Sequence, residues 1–275
     1  MGDRRAQFDA AYDAALARWP VPVRSREVAT RFGATHVLVS GPETAPPLVL
    51  LPGGGATALA WAGAVRLLAA VRRVHALDPV GDAGRSTTTT PPASAADVTG
   101  WLAEVLDGLG LSAVDLAGHS HGGWQALAFA LDRPARVRRL ALVDPTTTVA
   151  AFSPGYLLHA VPVLTRPTAA RLRALVRWET GGRPVDDAWL AVTAAGAELP
   201  AAPPVRTRRP DPARLGALAV PTLVVAAGAG RAQDARAVVR GAARAMPRAS
   251  VVTLAGATHH TLPSGAEQVV TEFLH

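Results

Sequence analysis

Apolar residues fall along this chain in two alternating rhythms. Short unbroken runs, such as Pro47-Leu48-Val49-Leu50-Leu51, Ala113-Val114-Asp115-Leu116-Ala117 and Val220 to Ala226, have the length and continuity of strands buried on both faces. Arg73 to Leu77, Val137 to Asp144 and Ala249 to Leu254 add three more. Between them lie longer segments rich in helix formers, over 57–70, 93–109, 124–131, 233–246 and 263–274. Ser94 and Asp97 stand at the start of one of them as cap and dipole partner. Such alternation predicts an α/β fold with a mostly parallel, doubly wound sheet. Glu27–Arg31 and Thr35–Val39, flanking Phe32-Gly33-Ala34, predict an antiparallel pair that opens it. Phe8, Tyr12, Leu16 and Trp19 are spaced as one face of a helix over 8–19 that packs on the body, with Pro20 and Pro22 ending it. The rhythm breaks after 145. Helix-like pieces at 153–164, 167–178 and 185–196 follow, without strand alternation, and strands resume only at Val220. The chain therefore divides into a core of 1–145 and 216–275 and a helical insertion over 146–215.

Composition narrows the chemistry. At 275 residues and 49% hydrophobic, the chain is long enough for one sizeable core and too apolar for disorder. There is no cysteine, which excludes disulfides, thiolate metal sites and a cysteine nucleophile. The net charge of +7 is carried by arginine alone, without one lysine. Those arginines are spread out and accompany no nucleic-acid-binding motif, so coding bias is the expected cause and no nucleic-acid partner is expected. The first residues form no apolar leader and no run is long enough to span a bilayer, so a cytoplasmic protein without a membrane partner is expected. Gly53-Gly54-Gly55 lacks the spacing and acidic residue of a dinucleotide fingerprint, and no cofactor or metal is implied.

One stretch carries candidate chemistry. Gly118-His119-Ser120-His121-Gly122-Gly123 joins a predicted strand to a predicted helix. A G-x-S-x-G frame in that context is a nucleophile elbow, whose sharp turn pushes the serine Oγ out above the sheet. The two flanking glycines let strand and helix approach closely. The amides at the start of the helix favour negative charge developing there.

Together with Leu51-Pro52-Gly53-Gly54-Gly55 upstream and Gly256-Ala257-Thr258-His259-His260 near the end, the elbow resembles the α/β-hydrolase superfamily. Within it the chain is similar to bacterial carboxylesterase-like and thioesterase-like members. The resemblance implies that 146–215 is a helical cap over the nucleophile. It implies an oxyanion hole made by the amides of Gly54 and His121. It also implies a base placed late in the chain and an acid between it and Ser120. His259 fits the base by its distance from Gly256, and His260 is the alternative. The usual place for the acid reads Gly228-Ala229-Gly230-Arg231, an arginine where a carboxylate is expected. Asp144, at a strand end, and Asp234, three residues past Arg231, are the candidates, and an absent acid is the third option.

Two functions follow from these residues. One is a serine hydrolase of a small carboxylic ester or thioester, working through Ser120, His259 and Asp144. The other is a repurposed protein on the same fold, which the arginine at the acid position motivates. It would catalyse a cyclisation or elimination, or bind a ligand.

Overall fold

The computed structural model describes residues 2–275. Its strands are β1 (Val23–Thr30), β2 (Gly33–Ser40), β3 (Pro47–Leu51), β4 (Arg73–Leu77), β5 (Val114–His119), β6 (Val137–Val143), β7 (Thr222–Ala227) and β8 (Ser250–Leu254). They form one sheet in the order β1-β2-β4-β3-β5-β6-β7-β8. The pairs β1–β2 and β2–β4 are antiparallel, and every pair from β4 onward is parallel. β5 and β7 are buried at every position, the environment that an unbroken apolar run requires.

Among the described residues ten helices surround the sheet: α1 (Gly2–Leu16), α2 (Ala62–Val71), α3 (Ala95–Gly108), α4 (His121–Asp132), α5 (Pro154–Thr165), α6 (Ala169–Glu179), α7 (Asp187–Gly196), α8 (Pro212–Ala217), α9 (Ala235–Ala245) and α10 (Glu267–Leu274). They bury two apolar layers, one on each face. Trp101, Leu127, Phe129 and Val238 belong to the first; Phe8, Tyr12, Trp61, Leu68 and Leu274 belong to the second. α3 begins with the expected residues, Ser94 and Asp97 forming a reciprocal capping box. Gly33, at φ +131°, starts β2 where a Cβ would lie 2.0 Å from the carbonyl oxygen of Thr87. Among the described residues no helix is long and apolar enough to cross a membrane.

Two expectations shift. The first helix ends at Leu16, before the prolines, through tight turns that carry Trp19 out of the helix. Trp19 is still buried, because its indole N–H donates to Ser40 Oγ at 3.0 Å. Helices α5, α6 and α7 lie between β6 and β7. α8 straddles the anticipated boundary at 215 and packs on α9. α1 ties the two parts together, since Phe8 packs beside Gly196 at the end of α7.

Candidate active site

β5 runs directly into α4, and Ser120 is the one residue between them, at φ 53° and ψ −118°. That conformation costs an L-residue of order 1–3 kcal/mol and persists only where its surroundings enforce it. Here the amide of Ser120 donates to Val143 O at 3.0 Å, and its carbonyl accepts from Gly123 and Thr146 at 3.0 and 3.2 Å. The glycines permit the approach. A Cβ on Gly118 would lie 2.2 Å from Gly122 O, and one on Gly122 would lie 2.3 Å from Pro52 O.

Three side chains converge above the turn. His259 Nε2 lies 2.9 Å from Ser120 Oγ. His259 Nδ1 lies 2.6 Å from Asp144 Oδ2. Asp144 follows the last residue of β6 with φ 42°, and its second oxygen accepts the amide of Ala227 at 3.3 Å. All three residues are buried. With Nδ1–H donating to the carboxylate, Nε2 holds the lone pair that accepts the serine hydroxyl proton.

The other candidates are used elsewhere. Asp234 is the N-cap of α9, accepting from Arg236 N at 3.0 Å, with its side chain exposed beside Arg240. A carboxylate in the first helical turn has unpaired amides next to it and no need to reach further. Arg231 turns its guanidinium to the carbonyl of Trp178 at 2.8 Å, over that indole, and stays out of the serine–histidine cluster. His260 Nδ1 is bound to Glu179 Oε2 at 3.0 Å.

Glu179 is the residue that the sequence reading missed. It ends α6 and is fully buried. Oε1 accepts the amides of Arg231 and His259, both at 3.0 Å, and Oε2 accepts the amide of His260 at 3.1 Å as well as its ring. Burial alone would raise its pKa, but the hydrogen bond from His260 and the neighbouring histidines hold the carboxyl down to about 2. Gly230 leaves room for it, since a Cβ there would stand 3.2 Å from Oε1. One signal pointed this way: Glu179 is the lone acid between Asp144 and Asp186.

The remaining walls come from the elbow and the insertion. Gly54 faces His121, the position of a Cβ on Gly54 lying 3.5 Å from His121 Cβ. The His121 amide belongs to the first turn of α4, where N–H groups have no intrahelical acceptor. Burial lowers the pKa of the His121 ring to about 4, and the ring stacks on Trp124 with centroids 5.4 Å apart. His119 Nε2–H donates to the carbonyl of His259 at 3.0 Å, tying the His259 loop to the end of β5. Burial holds its pKa well under the ordinary histidine value. Phe152 and Tyr156 set their rings edge-on to His259, at 6.4 and 6.1 Å. Asp78 and Arg85 serve the loops: Asp78 accepts from Ala58 N and Arg85 N at 2.7 and 2.8 Å, and Arg85 pairs with Asp13. A cavity of about 260 Å³ opens against His260, Trp189 and Leu59. A larger one of about 910 Å³, between Trp124 and residues 203–214, has none of Ser120, His259 and Asp144 in its wall.

A profile of the Alpha/beta hydrolase family matches residues 48–272, from β3 through α10. The chain belongs to the α/β-hydrolase family. Over 176 residues it is 35% identical to the carboxylesterase YbfK of Bacillus subtilis (strain 168), covering 64% of this chain and 58% of that protein. Against the carboxylesterase nap of the same organism it is 34% identical over 161 residues, 58% of this chain and 54% of that one. In sequence, then, it spans a little over half the length of these two relatives. The crystal structure of carboxylesterase CesB (YbfK) from Bacillus subtilis superposes with a TM-score of 0.92 at 27% identity, covering 99% of this chain and 98% of that one. Naproxen esterase from the same organism gives 0.91 at 25% identity, with 100% and 99% covered.

Proposed function

We propose that the protein hydrolyses small carboxylic esters through Ser120, His259 and Asp144. The observation that carries this reading is the unbroken Ser120–His259–Asp144 hydrogen-bond chain of 2.9 and 2.6 Å at a strained elbow. Carboxylesterase relatives support the same reaction class. A serine hydroxyl is a weak nucleophile near neutral pH and needs a base within reach, held in one tautomer. In the first step Ser120 Oγ attacks the ester carbonyl as His259 Nε2 takes its proton. The amides of Gly54 and His121 receive the oxyanion. The tetrahedral intermediate collapses, His259 returns the proton to the departing alcohol, and an acyl-serine remains. Water, deprotonated by His259, then releases the acid and restores Ser120. Asp144 orients the imidazole and stabilises its charged form. Helices α5 to α7 act as the cap, placing Phe152 and Tyr156 over the base. The non-hydrolytic alternative loses its motive, because a carboxylate stands 2.6 Å from the histidine despite Arg231. The test is a panel of chromogenic esters and thioesters combined with a serine-reactive phosphonate. Ester turnover together with phosphonate attached to Ser120 is expected. A folded chain that neither turns over esters nor reacts with the phosphonate would overturn the reading.

A further inference from the structure

Beside the Ser120–His259–Asp144 chain stands a second histidine–carboxylate pair to which hydrolysis assigns no step. Glu179 Oε2 accepts both the ring Nδ1–H and the backbone N–H of His260, at 3.0 and 3.1 Å. The His260 side chain is 12% exposed and that of Glu179 is not exposed at all, so the pair is rigid and nearly dry. Burial lowers the pKa of His260 below the ordinary histidine value, and the glutamate only partly offsets this. The imidazole is therefore neutral near pH 7. With its single N–H committed to Glu179, Nε2 is an acceptor. Among the described residues no group donates to it.

The ring of His260 forms part of the wall of the cavity of about 260 Å³, whose other walls include Leu59, Ala60, Val185, Trp189 and Leu262. Its walls are mixed, with Asp186, Thr261 and Ser264 beside the apolar residues and the His260 ring; a small pocket with a few placed polar groups is the usual form of a specificity subsite. The pocket lies beside the proposed triad, although none of Ser120, His259 and Asp144 is in its wall. The rings of His260 and His259 lie 5.3 Å apart, and Leu59 and Ala60 follow the Gly53–Gly55 loop. An acceptor in this wall selects a donor. A carboxylate would face it, and the Asp186 carboxylate in the same wall, with like lone pairs. An ammonium also donates, but it would shed its water against Leu59, Val185, Trp189 and Leu262, and Asp186 Oδ1 is engaged with Trp189 N in capping α7. A neutral hydroxyl meets both conditions.

We propose that this pocket is a subsite for a short apolar arm of the ester that carries a hydroxyl group, which donates to His260 Nε2. The proposal rests on the esterase reading of Ser120 and narrows it to hydroxylated esters. A pocket built to hydrogen-bond a hydroxyl discriminates against the analogue lacking one.

The experiment compares isosteric pairs in which a hydroxyl replaces a methyl group on either arm: ethylene glycol monoacetate against propyl acetate, and methyl hydroxybutyrate against methyl isovalerate. At least one hydroxyl ester should be preferred by about tenfold in kcat/KM, the worth of one hydrogen bond. That ratio should fall towards one in His260→Phe. Equal rates within both pairs, a preference that survives in His260→Phe, or faster turnover of protonated dimethylaminoethyl acetate would overturn the proposal. A second readout needs no turnover. In Ser120→Ala, nitrogen NMR of the His260 ring should report a hydrogen bond at Nε2 on adding ethylene glycol monoacetate and none with propyl acetate. An unmoved Nε2 signal with saturating hydroxyl ester would also defeat the subsite. If the wild-type chain cleaves no ester at all, the hydrolase reading fails, and this second readout judges the pocket alone.

Discussion

One backbone torsion decides where the proposed nucleophile points. Ser120 at φ 53° projects from the junction of β5 and α4, and the proposed chemistry depends on what its Oγ meets. Ser120→Ala should abolish ester turnover while leaving the melting temperature nearly unchanged, because alanine fits the same turn. His259→Ala should be almost as damaging, and the double variant no worse, since the two residues act as a unit. Steady-state rates on one chromogenic ester check all three. Asp144→Asn should keep the geometry but favour the wrong tautomer, lowering kcat on the order of 10⁴-fold while binding survives. Asp234→Asn should change neither rate nor stability, because asparagine caps a helix as well as aspartate does. Retained turnover in Asp144→Asn with loss in Asp234→Asn would reverse the assignment of the acid. Ser120, His259 and Asp144 were all legible as candidates, since each sits at a strand end or in the loop after one. Between Asp144 and Asp234 the sequence favoured Asp144 without deciding it, because at either position a carboxylate also serves a local turn or cap.

At the scale of elements, the site exists because secondary structures touch at glycines. Gly122 brings α4 to within contact of the end of β3, where a Cβ would stand 2.3 Å from Pro52 O. Gly122→Ala should therefore push the elbow away from the Gly53–Gly55 loop, lowering both the thermal midpoint and kcat; overpacking of this kind costs about 1–3 kcal/mol. Calorimetry and rates on the same sample separate the two effects. Glu179 makes a comparable link from α6 to the loops after β7 and β8. Glu179→Ala should orphan four buried N–H groups and loosen the loop that carries His259. It is expected to lower kcat at least tenfold with KM little changed, and glutamine should recover part of the loss, since its carbonyl still accepts two amides. A pure KM effect would refute a role for Glu179 in holding the base. The order and kind of most strands and helices followed from the apolar rhythm, while several of their ends did not. Glu179 did not, because its four partners come from segments 52 to 81 residues away, a distance over which periodicity carries no signal.

Across the whole molecule, stability should depend on acid through histidines buried in their neutral form. Burial lowers the pKa of His75 to about 4, with both ring nitrogens left without partners. His119 and His121 shift the same way. The unfolded chain takes up these protons near 6.5, while the fold resists them. Each group therefore leaves the protein most stable above about pH 6.5 and destabilises it as the pH falls towards its folded value, about 4 for His75. Denaturant titrations between these two pH values should give a falling unfolding free energy, and His75→Leu should flatten the slope. A slope of opposite sign would show that carboxylates such as Asp82, which burial raises to about 6, govern the balance.

The sequence by itself determined the layered α/β architecture and placed Ser120 at a strand-to-helix turn as the candidate nucleophile. Both are written in local pattern: apolar runs set by burial on both faces, and glycines fixed by close approach within a few residues. Tertiary structure decided which of two adjacent histidines faces Ser120, and which carboxylate joins it. It also decided that an acid from the insertion anchors the base loop. In the structure, Glu179 takes up the ring of His260 and leaves His259 to Asp144. That selection depends on where α6 docks, and long-range packing rather than local preference settles it.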